Sequence, residues 1–271
     1  MALIQPIYEP YQRQRPELML EVITSTANPR IKSVRGLHRA KERRVRGKTL
    51  IEGPAIFADF LDAGFTPSTV LCATDDTATI DACHASNIPF TLVTSDVLKV
   101  ASDTATPRSP VAVIDVPEPA ELRTHNTLIL VDISDPGNVG TMIRTATALG
   151  WDVAATASTA DIWSPKVIRS GAGAHSRARL ARIEDPVSAS RDQGLAVVAM
   201  VVEGGGAPRV LEVPVALLVG SEAHGLAGSL TAASDERITI PMPGDTESLN
   251  AAVAAAIAMY AISDVGGSRD V

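Results

Sequence analysis

Apolar positions recur at helical spacing in the segment that begins at Asn28. Asn28 can cap a helix, and Pro29 fits the first helical turn. The inward face consists of Ile31, Val34, Leu37 and His38. The other faces are basic as far as Lys48, so the pattern predicts one basic amphipathic helix over 28–48. Residues 1–20 contain three prolines and no periodicity, which predicts a flexible tail.

Short apolar runs and helical stretches then alternate up to about residue 115. Strands are predicted at Thr49–Ile51, Val70–Ala73, Phe90–Val93 and Val111–Ile114, with a helix over Gly53–Ala63 that Gly64 ends. This alternation is typical of a small α/β domain, which we place at 21–115. The run Pro117-Glu118-Pro119 breaks the pattern and predicts a linker over about 115–126.

The alternation restarts more strongly in the second half, over 126–265. Leu128–Val131 is a continuous apolar strand, as expected in a parallel sheet that is buried on both faces. A helix over Asn138–Leu149 follows, and an alanine-rich helix over Ser248–Ile262 comes last. Further strands are predicted at Asp152–Ala157, Ala196–Val202, Val215–Val219 and Ile238–Ile240. The predicted fold class is therefore α/β, with two domains.

Charge changes this picture because it is unevenly distributed. The whole chain has a net charge of −7, yet residues 1–48 hold 11 Lys/Arg against four Glu, a local charge of +7. The remainder holds 13 basic against 27 acidic residues, a charge of −14. A basic arm on an acidic body favours nucleic acid at one face of the protein.

Composition excludes several other classes of protein. No apolar run approaches the roughly 18–20 residues of a membrane span, and prolines and polar residues stand where a signal peptide would be apolar. We therefore expect a cytoplasmic protein with no membrane partner. Cys72 and Cys83 belong to no CxxC or Cys/His cluster, so they are expected to be reduced, buried thiols, and no metal site is expected.

Three polar loops follow predicted strands, at the sheet edge where ligands of parallel sheets bind. The first is Asp132–Arg144, in which a Pro-Gly-Asn turn opens a helix and Arg144 follows. The second, Gly220–Gly225, holds one carboxylate between glycines, a suitable wall for a flat ligand such as adenosine. Taken singly, each loop is equally consistent with an ordinary turn, and Arg144 with a surface arginine.

The third loop, Ile240–Asn250, contains two prolines and a glycine that keep it extended. Ser248 stands near the start of a helix and is consistent with a simple N-cap. Asn250 is predicted inside the alanine-rich helix, where an amide lowers helix propensity and needs a partner.

In this order and spacing, the three loops resemble the signature motifs of SpoU-type RNA ribose methyltransferases, of the knotted SPOUT superfamily. The resemblance covers about 125–265 and includes the Ala/Gly-rich segment Ser164–His175. The front half, with its Thr49–Gly53 run, is similar to the ribosomal-protein-like substrate-binding domain that is often fused ahead of this fold. The resemblance implies a trefoil-knotted sheet, S-adenosylmethionine as methyl donor, and 2′-O-ribose methylation of RNA by a homodimer, with no DNA partner.

The resemblance also implies roles for individual residues. Arg144, Ser248 and Asn250 match the catalytic arginine, serine and asparagine of the family, and Asn138 and Glu222 match its other catalytic-site polar positions. Gly220, Ile240 and Leu249 match positions that line the methyl-donor pocket. The family's arginine is proposed as the base, but a guanidinium stays protonated, so we expect Arg144 to position the substrate and bind phosphate.

The basic segment supplies the predicted RNA-binding residues, which are Arg30, Lys32, Arg35, Arg39, Lys41, Arg43 and Arg44. Because two-domain members of this shape mostly modify ribosomal RNA, the expected substrate is 23S rRNA. Some of them protect the ribosome, so antibiotic resistance is one expected role. Three alternatives stay open: a transfer-RNA methyltransferase, a non-catalytic knotted RNA-binding protein, and a small-molecule methyltransferase. No acidic-GxGxG run follows a first strand, which argues against Rossmann-type methyltransferases.

Overall fold

The computed structural model of the protein describes residues 22–102, 104–244 and 248–263. It consists of two compact units that divide between Val116 and Pro117. The predicted flexible tail, 1–20, lies outside the described residues. None of the helices in the described ranges is both long and apolar enough to cross a membrane.

Unit 1 is an α/β unit with a five-stranded sheet in the order β1-β4-β3-β5-β2. Its elements are β1 (Val22–Ile23), α1 (Pro29–Gly36), α2 (Ala40–Arg46), β2 (Lys48–Glu52), α3 (Pro54–Asp62), β3 (Thr69–Ala73), α4 (Thr77–Ala85), β4 (Thr91–Val93), α5 (Ser95–Ser102) and β5 (Val111–Asp115). β1, β4 and β3 run parallel, whereas β5 is antiparallel to β3 and β2. Ile31, Val34 and Leu37 pack into its core, as the apolar spacing predicts. Cys72 and Cys83 are buried and form no disulfide.

The single helix predicted over 28–48 is wrong, because the chain forms two helices there. Asn28 caps α1 as predicted, accepting from Arg30 N at 2.9 Å. α1 ends at Gly36, and the next three residues form a turn with bonds to carbonyls three residues back. The Arg43 side chain folds under this turn and donates to Leu37 O and His38 O, each at 2.8 Å. The buried guanidinium thus satisfies the carbonyls that the break in the helix leaves open.

Unit 2 has a six-stranded sheet in the order β11-β9-β10-β6-β7-β8. Every neighbouring pair in it is parallel. Its elements are β6 (Thr127–Leu130), α6 (Pro136–Ala148), β7 (Asp152–Ala155), α7 (Pro165–Ser170), a 3-10 turn (Ala174–Ser176), β8 (Leu180–Arg182), α8 (Pro186–Asp192), β9 (Ala196–Met200), β10 (Val215–Val219), α9 (Gly228–Ala233), β11 (Glu236–Ile238) and α10 (Ala251–Ile262). The α/β class and the parallel sheet are therefore confirmed.

Part of the segment that the sequence predicts as a linker belongs to unit 2. Ala120 bridges to Ala181 beside the edge strand β8. Arg123 holds the nearly buried Asp152 with two bonds, of 2.7 and 3.0 Å. The hydrogen bond to Asp152 raises the pKa of Arg123, and the negative charge of Asp152 adds to this effect. These contacts fasten the chain to the sheet before β6 begins.

Helices α6 and α10 cover one face of the unit 2 sheet. Met142 and Ile143 of α6 pack with Ala255 and Met259 of α10 in one buried cluster. Gly140 lets α7 approach closely, because a Cβ there would lie 2.5 Å from Val167 O. This packing fixes the position of the N-terminus of α6 relative to the strands beneath it.

Candidate active site

The three predicted loops meet at one edge of the unit 2 sheet. β6 and β10 are neighbours, so the loops that follow Leu130 and Val219 emerge side by side. β11 lies in the same sheet beyond β9, and the third loop follows it. The carboxyl ends of these parallel strands point the same way, which gathers the loops as the sequence predicts.

A chain of side-chain hydrogen bonds connects the three loops. Asn250 Nδ2 donates to Asn138 Oδ1 at 2.9 Å. Asn138 Nδ2 in turn donates to Glu222 Oε1. The chain fixes the orientation of the Asn138 amide, because its oxygen must accept from one neighbour and its nitrogen must donate to the other.

The predicted position of Asn250 inside the last helix is wrong, because it is the N-cap of α10. Its Oδ1 accepts from Ala252 N at 2.9 Å and from Val253 N at 3.2 Å. Ser248 lies two residues before the cap and does not cap the helix. The Asn250 amide therefore has two functions, since its oxygen caps α10 while its nitrogen holds Asn138.

A cavity of about 400 Å³ opens beside this chain. Six residues that the family resemblance assigns line it: Gly220, Glu222, Ile240, Ser248, Leu249 and Asn250. The rest of its wall is made by Met200, Val201, Val202, Val219, Ser221, Gly225, Met242, Ala251 and Ala254. The wall is mostly apolar, and Glu222 is the one charged residue among the described residues that form it.

Gly220 is required by the fold of the second loop. A Cβ at this position would lie 2.2 Å from the carbonyl carbon of Gly225. The loop closes on itself, with Gly225 N donating to Ser221 O at 2.8 Å. Backbone atoms therefore form this part of the cavity wall.

The structure does not bring Arg144 to the cavity. Arg144 lies on α6, six residues beyond Asn138, and is exposed. It is absent from the described residues that line the cavity. The sequence does not point to three further residues of the cavity wall, Met200, Val202 and Met242. Two of them, Met200 and Val202, lie at the carboxyl end of the predicted strand Ala196–Val202. That strand end borders the sheet edge of the three loops, so it could have indicated these two residues.

Six of the seven predicted RNA-binding residues are exposed on unit 1: Arg30, Lys32, Arg35, Arg39, Lys41 and Arg44. Lys32, Arg35, His38 and Arg39 line a cavity of about 540 Å³. The interpretation of Arg43 as a surface cation is wrong, because its side chain is buried under the turn after α1. The charged guanidinium of Arg43 binds backbone carbonyl groups inside unit 1.

Comparisons with known proteins identify relatives of both units. The SpoU rRNA Methylase family model matches residues 125–260, and the MRM3-like substrate binding domain matches residues 28–112. The 23S rRNA (guanosine(2553)-2′-O)-methyltransferase RlmP of Bacillus subtilis is 33% identical over 249 residues, covering 89% of this chain and 98% of that protein.

The 23S rRNA (uridine(2479)-2′-O)-methyltransferase of Streptomyces viridochromogenes is 33% identical over 138 residues, which are 47% of this chain and 48% of that protein. Among solved structures, the AdoMet-bound rRNA methyltransferase from Sinorhizobium meliloti superposes with a TM-score of 0.79 at 27% identity, over 89% of this chain and 96% of that one. The family match spans the three loops and the cavity. The chain belongs to the SpoU rRNA methylase family.

Proposed function

We propose that the protein transfers the methyl group of S-adenosylmethionine to a ribose 2′-hydroxyl of RNA, with 23S rRNA as the substrate. The observation that carries this proposal is the bonded chain Asn250–Asn138–Glu222 beside the cavity, since it joins all three family motifs at one place. The relatives in B. subtilis and S. viridochromogenes, both named as 23S rRNA 2′-O-methyltransferases, support this substrate.

The cavity residues fit S-adenosylmethionine. A volume of about 400 Å³ lies in the range of small-molecule sites. The apolar wall of Val219, Ile240 and Leu249 suits an adenine ring, and Glu222 supplies a negative charge for a cationic donor. When bound, S-adenosylmethionine supplies an electrophilic methyl group.

The chain's own residues position the ribose and accept its proton. Asn138 and Asn250 are fixed by their mutual bond and can orient a ribose hydroxyl near the cavity mouth. The Glu222 carboxylate accepts the hydroxyl proton, because no other described residue of the cavity wall carries a carboxylate. Arg144, a permanent cation on exposed α6, binds a phosphate next to the target ribose.

Unit 1 binds the RNA through the exposed cations of α1 and α2. Their charges face water, so they can neutralise phosphates without losing a partner within the fold. Aromatic residues make up only 3% of the chain, so most contacts fall on phosphates and 2′-hydroxyls. The enzyme meets this RNA in the cytoplasm. A role in antibiotic resistance stays a prediction.

The enzyme acts as a homodimer that forms through α10. Val253, Ile257 and Tyr260 lie at a spacing of four and three residues on one face of this helix. The exposed fractions of these three residues are 48%, 42% and 60%, in that order. An apolar stripe of this kind on a described helix favours a second copy of the chain as its partner. A double variant, Ile257→Glu with Tyr260→Glu, should sediment as a monomer, and an unchanged sedimentation coefficient would reject this interface.

The proposed function is tested by methyl transfer with matched arginine and lysine variants. Wild type, Arg144→Ala and Lys166→Ala are incubated with labelled S-adenosylmethionine and unmodified 23S rRNA, and donor binding is measured by calorimetry. We expect Arg144→Ala to lose transfer and keep donor binding, while Lys166→Ala, at an exposed cation of α7, keeps both.

Three results would contradict this account. Normal transfer by Arg144→Ala would remove Arg144 from the site. Transfer to transfer RNA alone would replace the substrate. A wild-type protein that binds the donor but methylates no RNA would be a non-catalytic RNA-binding member of the family.

A further inference from the structure

A second groove lies in unit 1, at the sheet edge where the parallel strands β3 and β4 begin. Its volume is about 610 Å³. One wall is formed by residues around the strand starts, Ser68 and Pro89 among them, and the other by the N-terminal turn of α1. It is separate from the basic cavity of Lys32, Arg35, His38 and Arg39, with which it shares no lining residue.

Phe90 supplies this groove with an aromatic ring. Two other phenylalanines of unit 1, Phe57 and Phe60, are buried in the fold, and Phe65 packs edge-on against Phe60 with centroids 4.8 Å apart. Phe90 is only half-buried and lines the groove. His84 contacts it at a ring-centroid distance of 5.1 Å and an angle of 90°, which restricts the motion of the Phe90 ring.

The groove is also positively charged. Of its twelve described lining residues, two are arginines and none is acidic. Arg30 is exposed on the first turn of α1. Arg46 comes from the end of α2, and its Nη1 donates to Ser33 O at 2.7 Å, which holds the guanidinium at the groove. An apolar floor beneath two cations, of which Arg46 is held in place, matches a nucleotide with its flat base and its anionic phosphate.

We propose that this groove binds an unpaired nucleotide of the RNA substrate, with the base stacked on Phe90 and the flanking phosphates bound by Arg30 and Arg46. The proposal rests on the proposed RNA methylation, and it adds a site that reads strandedness. A base within a duplex is stacked on its neighbours and cannot enter, whereas a base in a loop or bulge can be turned out onto an aromatic side chain. The groove thereby selects RNA substrates that present an unpaired base.

The test compares binding of a short single-stranded RNA with binding of a duplex of the same sequence, using the full chain. Phe90→Leu should weaken single-strand binding about tenfold, because stacking on the ring is lost, and should leave duplex binding unchanged. Phe90→Tyr keeps the ring and should bind both RNAs like wild type. Arg30→Gln should flatten the salt dependence of single-strand binding, while Lys99→Gln, an exposed cation of α5 outside both cavities, should not.

Urea unfolding of each variant, followed by circular dichroism, serves as the measure of intact folding of unit 1. Equal losses in Phe90→Leu and Phe90→Tyr, equal losses for single strand and duplex, or no loss at all would each overturn the groove proposal. If wild type still methylates 23S rRNA in these cases, the proposed function stands without the groove. If wild type methylates no RNA, the proposed function fails, whatever the groove binds.

Discussion

Replacing Arg43 should reduce the stability of unit 1, whereas replacing the adjacent Arg44 should reduce RNA affinity. Arg43 is 6% exposed and donates to Leu37 O and His38 O, each at 2.8 Å. Hydrogen bonds from a charged group contribute about 1.5–3 kcal/mol each, so the loss of both in Arg43→Ala should lower the free energy of unfolding by about 3–6 kcal/mol. That loss is large against the roughly 5–15 kcal/mol of a typical domain.

Arg44 provides a matched control on the same helix, because it is exposed. Arg44→Ala should change the free energy of unfolding by less than about 0.5 kcal/mol, while weakening RNA binding and lowering its salt slope by about one. Urea unfolding followed by circular dichroism, together with RNA titrations at several salt concentrations, measures both quantities. Equal unfolding free energies for the two variants would refute the structural role of Arg43.

Three further predictions concern unit 2. Burial lowers the pKa of His175 from its ordinary 6.5 to about 4, so between these pH values the unfolded chain binds one more proton than the folded chain. His175 should therefore cost the wild type about 1.4 kcal/mol of unfolding free energy for each pH unit as the pH falls from 6.5 to 4. His175→Phe should lose stability less steeply over this range, and an equal slope would contradict the contribution of His175. Gly140→Ala places a Cβ 2.5 Å from Val167 O, so it should lower the free energy of unfolding by about 2 kcal/mol and with it the melting temperature. Gly228→Ala is the control, because the space around Gly228 is open and its melting temperature should stay near that of wild type. Asn250→Asp keeps the oxygen that caps α10 but loses the donor to Asn138, so it should melt near the wild-type temperature and lose methyl transfer. Asn250→Ala loses the capping oxygen as well, which should lower the free energy of unfolding by about 1 kcal/mol. Full methyl transfer by Asn250→Asp would contradict the proposed role of the bonded chain.

The sequence predicts the strands of unit 2 well because they are long apolar runs. Val215–Val219 has the predicted bounds, β6 is shifted by one residue at both ends, and β9 ends two residues earlier than predicted. A run buried on both faces needs no tertiary information to be recognised. The sequence does not predict β8, because Leu180–Arg182 is short and becomes a strand only by pairing with β7. The trefoil knot stays a prediction.

The sequence predictions are wrong at two kinds of position. In the first, residues that are distant along the chain form a contact that decides the local structure. In the second, two nearby residues have an equal ability to cap a helix. The break after Gly36 depends on the buried Arg43, whose basic side chain looks like a surface cation in the sequence. The predicted start of α10 at Ser248 is wrong because Ser and Asn cap helices equally well, and the bond from Asn250 to Asn138 becomes visible only in the fold. Loops were placed at the correct sheet edge because parallel strands share a direction.

Identification of the methylated product tests the central claim most directly. The full chain is incubated with methyl-labelled S-adenosylmethionine and unmodified 23S rRNA, the RNA is digested to nucleosides, and the labelled nucleoside is identified by mass spectrometry. The account predicts a single 2′-O-methylated nucleoside. Label on a base would contradict ribose methylation, and the absence of label from 23S rRNA would contradict the proposed substrate.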